Sequence, residues 1–200
     1  MDLFIKYFIK IFIFKKKVIY LHYQICNFNF NYMAKVIFMV GIPGSGKSTW
    51  AKDYINNVNR NAIILSRDSL RRMRGTYMLI PQENMISKWM LACFALALNE
   101  KQDIIIDNTN LKEHYYIDFL DILKNHENSD FYEIYIKIID TDFQLCLYRN
   151  TEGRPVDERV PVDVVNRMYD NYIKFVDEDR LKKFLDKHNI KKLDYEKNFG

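Results

Sequence analysis

The segment KVIFMVGIPGSGKSTWA, residues 35–51, constrains this chain more than any other. An apolar run is followed by a glycine-rich turn and then by the start of a helix. Gly41, Ile42, Pro43, Gly44, Ser45, Gly46, Lys47 and Ser48 fit the pattern G-x-x-x-x-G-K-[ST] of a P-loop. Glycine is needed there because a backbone without Cβ can curl until successive N–H groups point at one anion. The helix that begins near Lys47 adds the positive end of its dipole to the same anion. Lys47 has the reach for β- and γ-phosphates, and the Ser48 hydroxyl suits Mg²⁺. The expected nucleotide contacts are therefore Gly41, Pro43, Gly44, Ser45, Gly46, Lys47, Ser48 and Thr49.

The remainder of the chain supplies a scaffold for such a loop. Short apolar runs at residues 35–40, 62–65, 103–107 and 132–139 read as strands, and helical patterns lie between them. Pro81 is placed to open a helix to about residue 99, whose run WMLACFALALN is apolar nearly all round and so is expected in the core. Asn110 is expected to cap a helix over 111–126 with Tyr115, Phe119, Ile122 and Leu123 on one side. Thr141 or Asp142 is expected to cap the next, and a further helix follows Pro161. Strands alternating with helices predict a three-layer α/β P-loop NTPase fold with a central parallel sheet flanked by helices. In such sheets chemistry sits beyond the carboxyl ends of the strands. That selects the P-loop, the stretch SRDSLRRM at 66–73, and Asp107-Asn108-Thr109-Asn110.

Composition narrows the partners. The formal net charge is +4, and residues 1–33, with five lysines and one aspartate, account for it. The neutral body argues against a protein that coats duplexes through a broad basic face. Cys26, Cys93 and Cys146 are far apart and odd in number, as free thiols in a reducing cytoplasm would be. Neither they nor His22, His114, His126 and His188 have metal-ligand spacing, so zinc is not expected. Residues 1–32 are apolar and basic, but lysines interrupt every run before it could span a bilayer, so no stable membrane insertion is expected. They read as a start-site artefact or disordered extension in preference to an interfacial anchor, with the P-loop domain over 33–180, a loop that reads as a lid at about 150–161 and a charged tail over 181–200. The Lys/Asn/Ile bias points to an AT-rich genome, viral or bacterial.

The chain lacks the N/T-K-x-D element of a guanine reader, and no D-E pair follows the third strand as in large motor ATPases. GIPGSGKSTWA, then SRDSLR, then DNTNL, then RN…R…VPVDVV-RMY together resemble the kinase domain of phage-type polynucleotide 5′-hydroxyl kinases, over roughly residues 34–175. The resemblance implies transfer of the γ-phosphate of ATP, with Mg²⁺, to the 5′-hydroxyl end of DNA or RNA. It implies that Asp68 is the general base, and that Arg71 holds Asp68 and the acceptor's 3′-phosphate. Thr109 and Asn110 would line the acceptor site. Asp stands directly before Thr in the family pattern, whereas this chain has Asn108 there. Either Asn108 serves as a neutral hydrogen-bonding partner, or Asp107 acts near Mg²⁺. In the lid, Arg154 is the best match for the arginine that neutralises the transferring phosphoryl group. Arg159 competes, because the spacing to Val160-Pro161 is one residue longer than the pattern, and Arg149 is a further nucleotide contact. Arg67 and Arg72 read as solvated or general phosphate contacts. Two rival readings are a kinase for a small hydroxyl compound, such as a nucleoside, sugar or toxin-type acceptor, and an ATP-binding switch without an acceptor.

Overall fold

The computed structural model describes residues 33–75 and 83–193; the expected helix start at Pro81 and the 1–32 extension lie outside them. Residues from Ala34 onward form one compact unit. Five strands make a single sheet: β1 (Ala34–Val40), β2 (Ile63–Leu65), β3 (Ile104–Ile106), β4 (Tyr132–Ile138) and β5 (Lys191–Lys192), in the order β2-β3-β1-β4-β5. Every pairing is parallel. Between the strands run α1 (Lys47–Asn57), α2 (Arg67–Met73), α3 (Glu83–Ala97), α4 (His114–Lys124), α5 (Phe143–Thr151), α6 (Val162–Val176) and α7 (Glu178–His188).

Burial on both faces explains the unbroken apolar content of the central strands. Val36, Phe38, Val40, Ile104 and Ile106 belong to one core, which contains Phe94, Tyr116, Phe119 and Phe175. Ile37, Met39 and Ile105 alternate with them into a second core under α1, with Trp50, Ala51 and Tyr54. The three-layer expectation therefore holds.

Several local expectations are corrected. The helix carrying WMLACFALALN is not buried all round: Ile86, Met90, Phe94 and Ala97 form its buried stripe, and Leu96 is 69% exposed. Spacings of three and four residues bring that stripe to one face, so apolar content alone overstated its burial. Asn110 does not cap α4, which starts at His114. Its backbone is left-handed (φ 46°), which asparagine tolerates better than most residues. Tyr116 takes the place expected of Tyr115: Tyr116 is fully buried and stacks on Phe175, while Tyr115 is substantially exposed. Of the two cap candidates before α5, Asp142 fills the role, its Oδ1 accepting from Leu145 N at 2.9 Å. Thr141 instead donates its hydroxyl to the Ser45 carbonyl at 2.8 Å. The expected tail begins as ordered structure, because Phe184 of α7 packs against Tyr116 and Phe175 before β5 joins the sheet edge; residues 194–200 lie outside the described residues.

Asp103, just before β3, is a buried carboxylate that locks this core. It accepts from Lys35 N (2.7 Å), the Tyr54 hydroxyl (2.8 Å) and Asn59 Nδ2 (2.9 Å), tying β1, α1 and the following turn together.

Candidate active site

The P-loop, residues 66–73 and residues 107–110 follow the carboxyl ends of β1, β2 and β3, which are neighbours in the sheet. The P-loop leaves β1 with Gly44 at φ 82° and Gly46 at φ 99°, and Gly46 passes directly into α1. No acidic side chain occupies the first turn of α1, so its dipole is left for an outside anion. Gly41 N donates to the Thr109 carbonyl at 3.3 Å, which ties the loop to the turn after β3. On the other side Arg149 of α5 donates Nη1 to the Gly44 carbonyl at 3.3 Å.

Gly44 is also a close-approach position. A Cβ there would stand 2.3 Å from the Cys146 carbonyl oxygen, in backbone that a side chain already disfavours. Gly44→Ala is expected to lower the unfolding free energy by about 2 kcal/mol, through overpacking and positive-φ strain. Urea denaturation would measure this, and nucleotide affinity should fall with it because the loop must shift away from α5.

Lys47 is buried and folds back, its Nζ donating to the Ile42 carbonyl at 2.8 Å and to Ser45 Oγ at 3.4 Å. Burial pushes its pKa down to about 8; the Asp107 and Asp68 carboxylates oppose that shift, and the Arg154 guanidinium adds to it. Lys47 thus stands in the field of all three groups. Asp107 lies deeply buried at the end of β3, and desolvation raises its pKa, opposed by a hydrogen bond from the Ser48 hydroxyl and by the charge of Lys47. Ser48 and Asp107 therefore lie near one another at the phosphate end of the loop. Hard oxygen donors of this kind match the demands of Mg²⁺.

Asp68 sits in the first turn of α2, directly after β2. Arg71, one turn later, donates Nη1 to Asp68 Oδ1 at 2.7 Å. Asn108 fixes the start of this helix: its Oδ1 accepts from Arg67 N at 3.1 Å. The two alternatives for the third-strand turn thus occupy different places, Asp107 against Ser48 and Asn108 against α2. Asn110 is directed inward. Its Nδ2 donates to the Met39 carbonyl at 2.8 Å and to the Ile106 carbonyl at 3.2 Å, so its amide braces β1 against β3.

The loop between α5 and α6, where the lid is expected, is anchored by Asn150, which is fully buried. Its Nδ2 donates to the Val160 carbonyl at 2.7 Å, and its Oδ1 accepts from Val160 N at 3.1 Å. Arg154 lies within this loop with its charge felt at both Lys47 and Asp107. Arg159 instead donates Nε to the Arg154 carbonyl at 3.1 Å. Arg72, read as solvated or as a general phosphate contact, also has a partner: its Nε and Nη2 donate to the two Glu158 carboxylate oxygens at 2.7 and 2.6 Å, linking α2 to the loop between α5 and α6. Arg72 is more than half exposed, so the pair is expected to contribute only about 0.5 kcal/mol to stability. A double-mutant cycle with Arg72→Ala and Glu158→Ala would measure it.

Four participants had no signal in the sequence that could be read locally. Thr141, Asn150, Glu158 and Glu83 act through partners 10 to 96 residues away or across a turn of chain.

A five-stranded parallel sheet with a phosphate-cradling loop after its central strand defines a P-loop nucleotide-binding domain. The chain belongs to the AAA domain family, which it matches over residues 36–177. Among solved structures it is similar to a chain of the Pnkp1/Rnl/Hen1 complex, at 25% identity and a TM-score of 0.50, over 66% of this chain and 46% of that one. It is also similar to a chain of the Pnkp1/Rnl/Hen1 RNA repair complex, at 22% identity and a TM-score of 0.57, over 76% and 47% respectively. This chain spans about half the length of these two chains. Among the described residues no helix is long and apolar enough to cross a membrane.

Proposed function

We propose that this protein is an ATP-dependent kinase that transfers the γ-phosphoryl group of ATP to the 5′-hydroxyl end of DNA or RNA. The observation that carries the reading is a carboxylate, Asp68, held by Arg71 at a strand end within the field of the P-loop lysine. A nucleotide switch has no use for an acceptor-side base, whereas phosphoryl transfer requires one to orient the hydroxyl. The motif resemblance and the similarity to the RNA repair complex support a polynucleotide acceptor.

In this mechanism the P-loop amides, Lys47 and the start of α1 hold the triphosphate. Asp68 accepts the proton of the acceptor hydroxyl as its oxygen bonds to the γ-phosphorus. The bond from that phosphorus to the β,γ-bridging oxygen breaks, and ADP leaves. Arg154 neutralises charge on the transferring group, and the lid excludes water that would otherwise be phosphorylated in place of the acceptor. Ser48 and Asp107 are the residues that would hold Mg²⁺. When bound, Mg²⁺ screens the charge on the phosphate oxygens. Arg149, already on the Gly44 carbonyl, is placed to contact the nucleotide.

The test is labelling by γ-labelled ATP of oligonucleotides that differ only at the 5′ end. Label on the 5′-hydroxyl DNA or RNA and none on the 5′-phosphorylated control is the expected result. ATP binding without label on either would move the assignment to a small hydroxyl acceptor.

A further inference from the structure

α2 carries Asp68, yet apolar packing holds little of it. At seven residues it is too short to persist alone. None of its residues is buried; Leu70 packs on the edge of the core, and Met73 is 69% exposed. Polar bonds therefore set where it lies. Along its side, α3 holds it: Arg67 donates Nη1 to Ser87 Oγ at 2.9 Å, and Arg71 donates Nε to Glu83 Oε1 at 2.8 Å. At its start the ordinary device is missing. Ser66 stands at the N-cap position, but its side chain accepts no capping bond from the helix. A neighbouring strand supplies the cap. Asn108, in the turn after β3, turns its Oδ1 to Arg67 N at 3.1 Å. Next to it, Asp107 N donates to the Leu65 carbonyl at 2.9 Å. Successive residues of one turn thus grip the chain on either side of Ser66, and Asp68 follows directly after the second grip. The Asp107 carboxyl of the same turn interacts with Ser48 and Lys47. One short segment therefore refers both the candidate base and the phosphate loop to β3.

We infer that Asn108 is a positioning residue: by capping α2 from the neighbouring strand it holds Asp68 in place relative to the phosphate loop. The kinase reading supplies the role of Asp68, and the inference rests on it there. Asparagine brings the cap without adding a further negative charge beside Asp68 and Asp107. Loss of the cap would let the first turn of α2 shift, and misplacing a reacting group by about 1 Å can cost about 10²-fold in rate. Because Asn108 works through α2, its effect should vanish once Asp68 can no longer accept a proton.

The test is a double-mutant cycle on the full chain, read by single-turnover labelling of a 5′-hydroxyl oligonucleotide at saturating γ-labelled ATP. Asn108→Ala is expected to lower the transfer rate about 10- to 100-fold with ATP affinity unchanged. Asn108→Asp, which keeps an acceptor oxygen at the same reach, is expected to recover most of that loss. In an Asp68→Asn background, Asn108→Ala should cost less than about twofold. A contact of Asn108 with the acceptor itself would instead cost the same in both backgrounds and raise the KM for the oligonucleotide, and that result overturns the inference. So does a loss in Asn108→Asp equal to that in Asn108→Ala, with thermal melts showing both folded. Amide exchange followed by NMR gives a readout independent of turnover. The Arg67 amide should exchange about five- to tenfold faster in Asn108→Ala, as loss of one hydrogen bond would give, and near the native rate in Asn108→Asp. Unchanged exchange in Asn108→Ala also overturns the inference. Failure of the kinase reading shows elsewhere, as absence of label on any 5′-hydroxyl end with the native protein while the exchange difference persists.

Discussion

Asp68→Asn is expected to lower the transfer rate by about 10³-fold while leaving ATP affinity near that of the native protein. Asparagine keeps the size of the side chain and a carbonyl oxygen for Arg71 Nη1, so α2 and its 2.7 Å contact should persist. What it removes is the capacity to accept the hydroxyl proton as the new P–O bond forms. The loss should therefore appear in kcat, with little change in the KM for ATP. Single-turnover labelling of a 5′-hydroxyl oligonucleotide, with ATP binding measured in parallel, separates the two quantities. Activity within tenfold of the native value would assign proton acceptance to another group and remove the main ground for an acceptor-side base.

Replacement of Lys47 by Met should be of similar size, about 10²- to 10³-fold in kcat/KM, because it deletes a preorganised positive charge in a water-poor cradle. Its pH dependence is more diagnostic. In the empty cradle the Lys47 ammonium has a pKa near 8, well below the ordinary 10.5, chiefly because it is buried. The unfolded chain therefore binds more protons than the folded one between about pH 8 and 10.5, and the contribution of Lys47 to folding stability rises with pH through that window. A bound triphosphate favours the charged ammonium and pulls the pKa back up. Nucleotide binding then takes up a proton above pH 8, and affinity falls as pH rises past that value. The rise in Tm produced by a non-hydrolysable ATP analogue should shrink between pH 7 and 9.5. Lys47→Met should show a smaller rise and no such slope.

The fold was legible because its strands are apolar on both faces and its turns carry strong local chemistry. Gly44 and Gly46 announce the phosphate loop, and Asp68 with Arg71 forms a pair one helical turn apart. What the sequence concealed acts at long range. Glu83 lies twelve residues beyond Arg71 and resembles any acidic residue at a helix start, yet it takes two of the Arg71 hydrogen bonds. Asn110 looked like a helix cap because asparagine caps helices, but its amide instead bridges two parallel strands that the sequence could not place side by side. Arg72 looked solvated because its partner Glu158 is 86 residues away. The apolar run in α3 misled for a different reason: composition reports how much surface is apolar, and only periodicity reports which side meets the core.

The paired bonds between Asn150 and Val160 close the loop between α5 and α6 on itself. They fasten the ends of the loop to each other, so a change in its length need not propagate into α5 or α6. Adding a residue to a loop whose ends are already closed costs little entropy. Arg154, inside the loop, is in the electrostatic reach of Lys47. The segment between the two anchors is consequently where a change of loop would leave the sheet and the P-loop undisturbed.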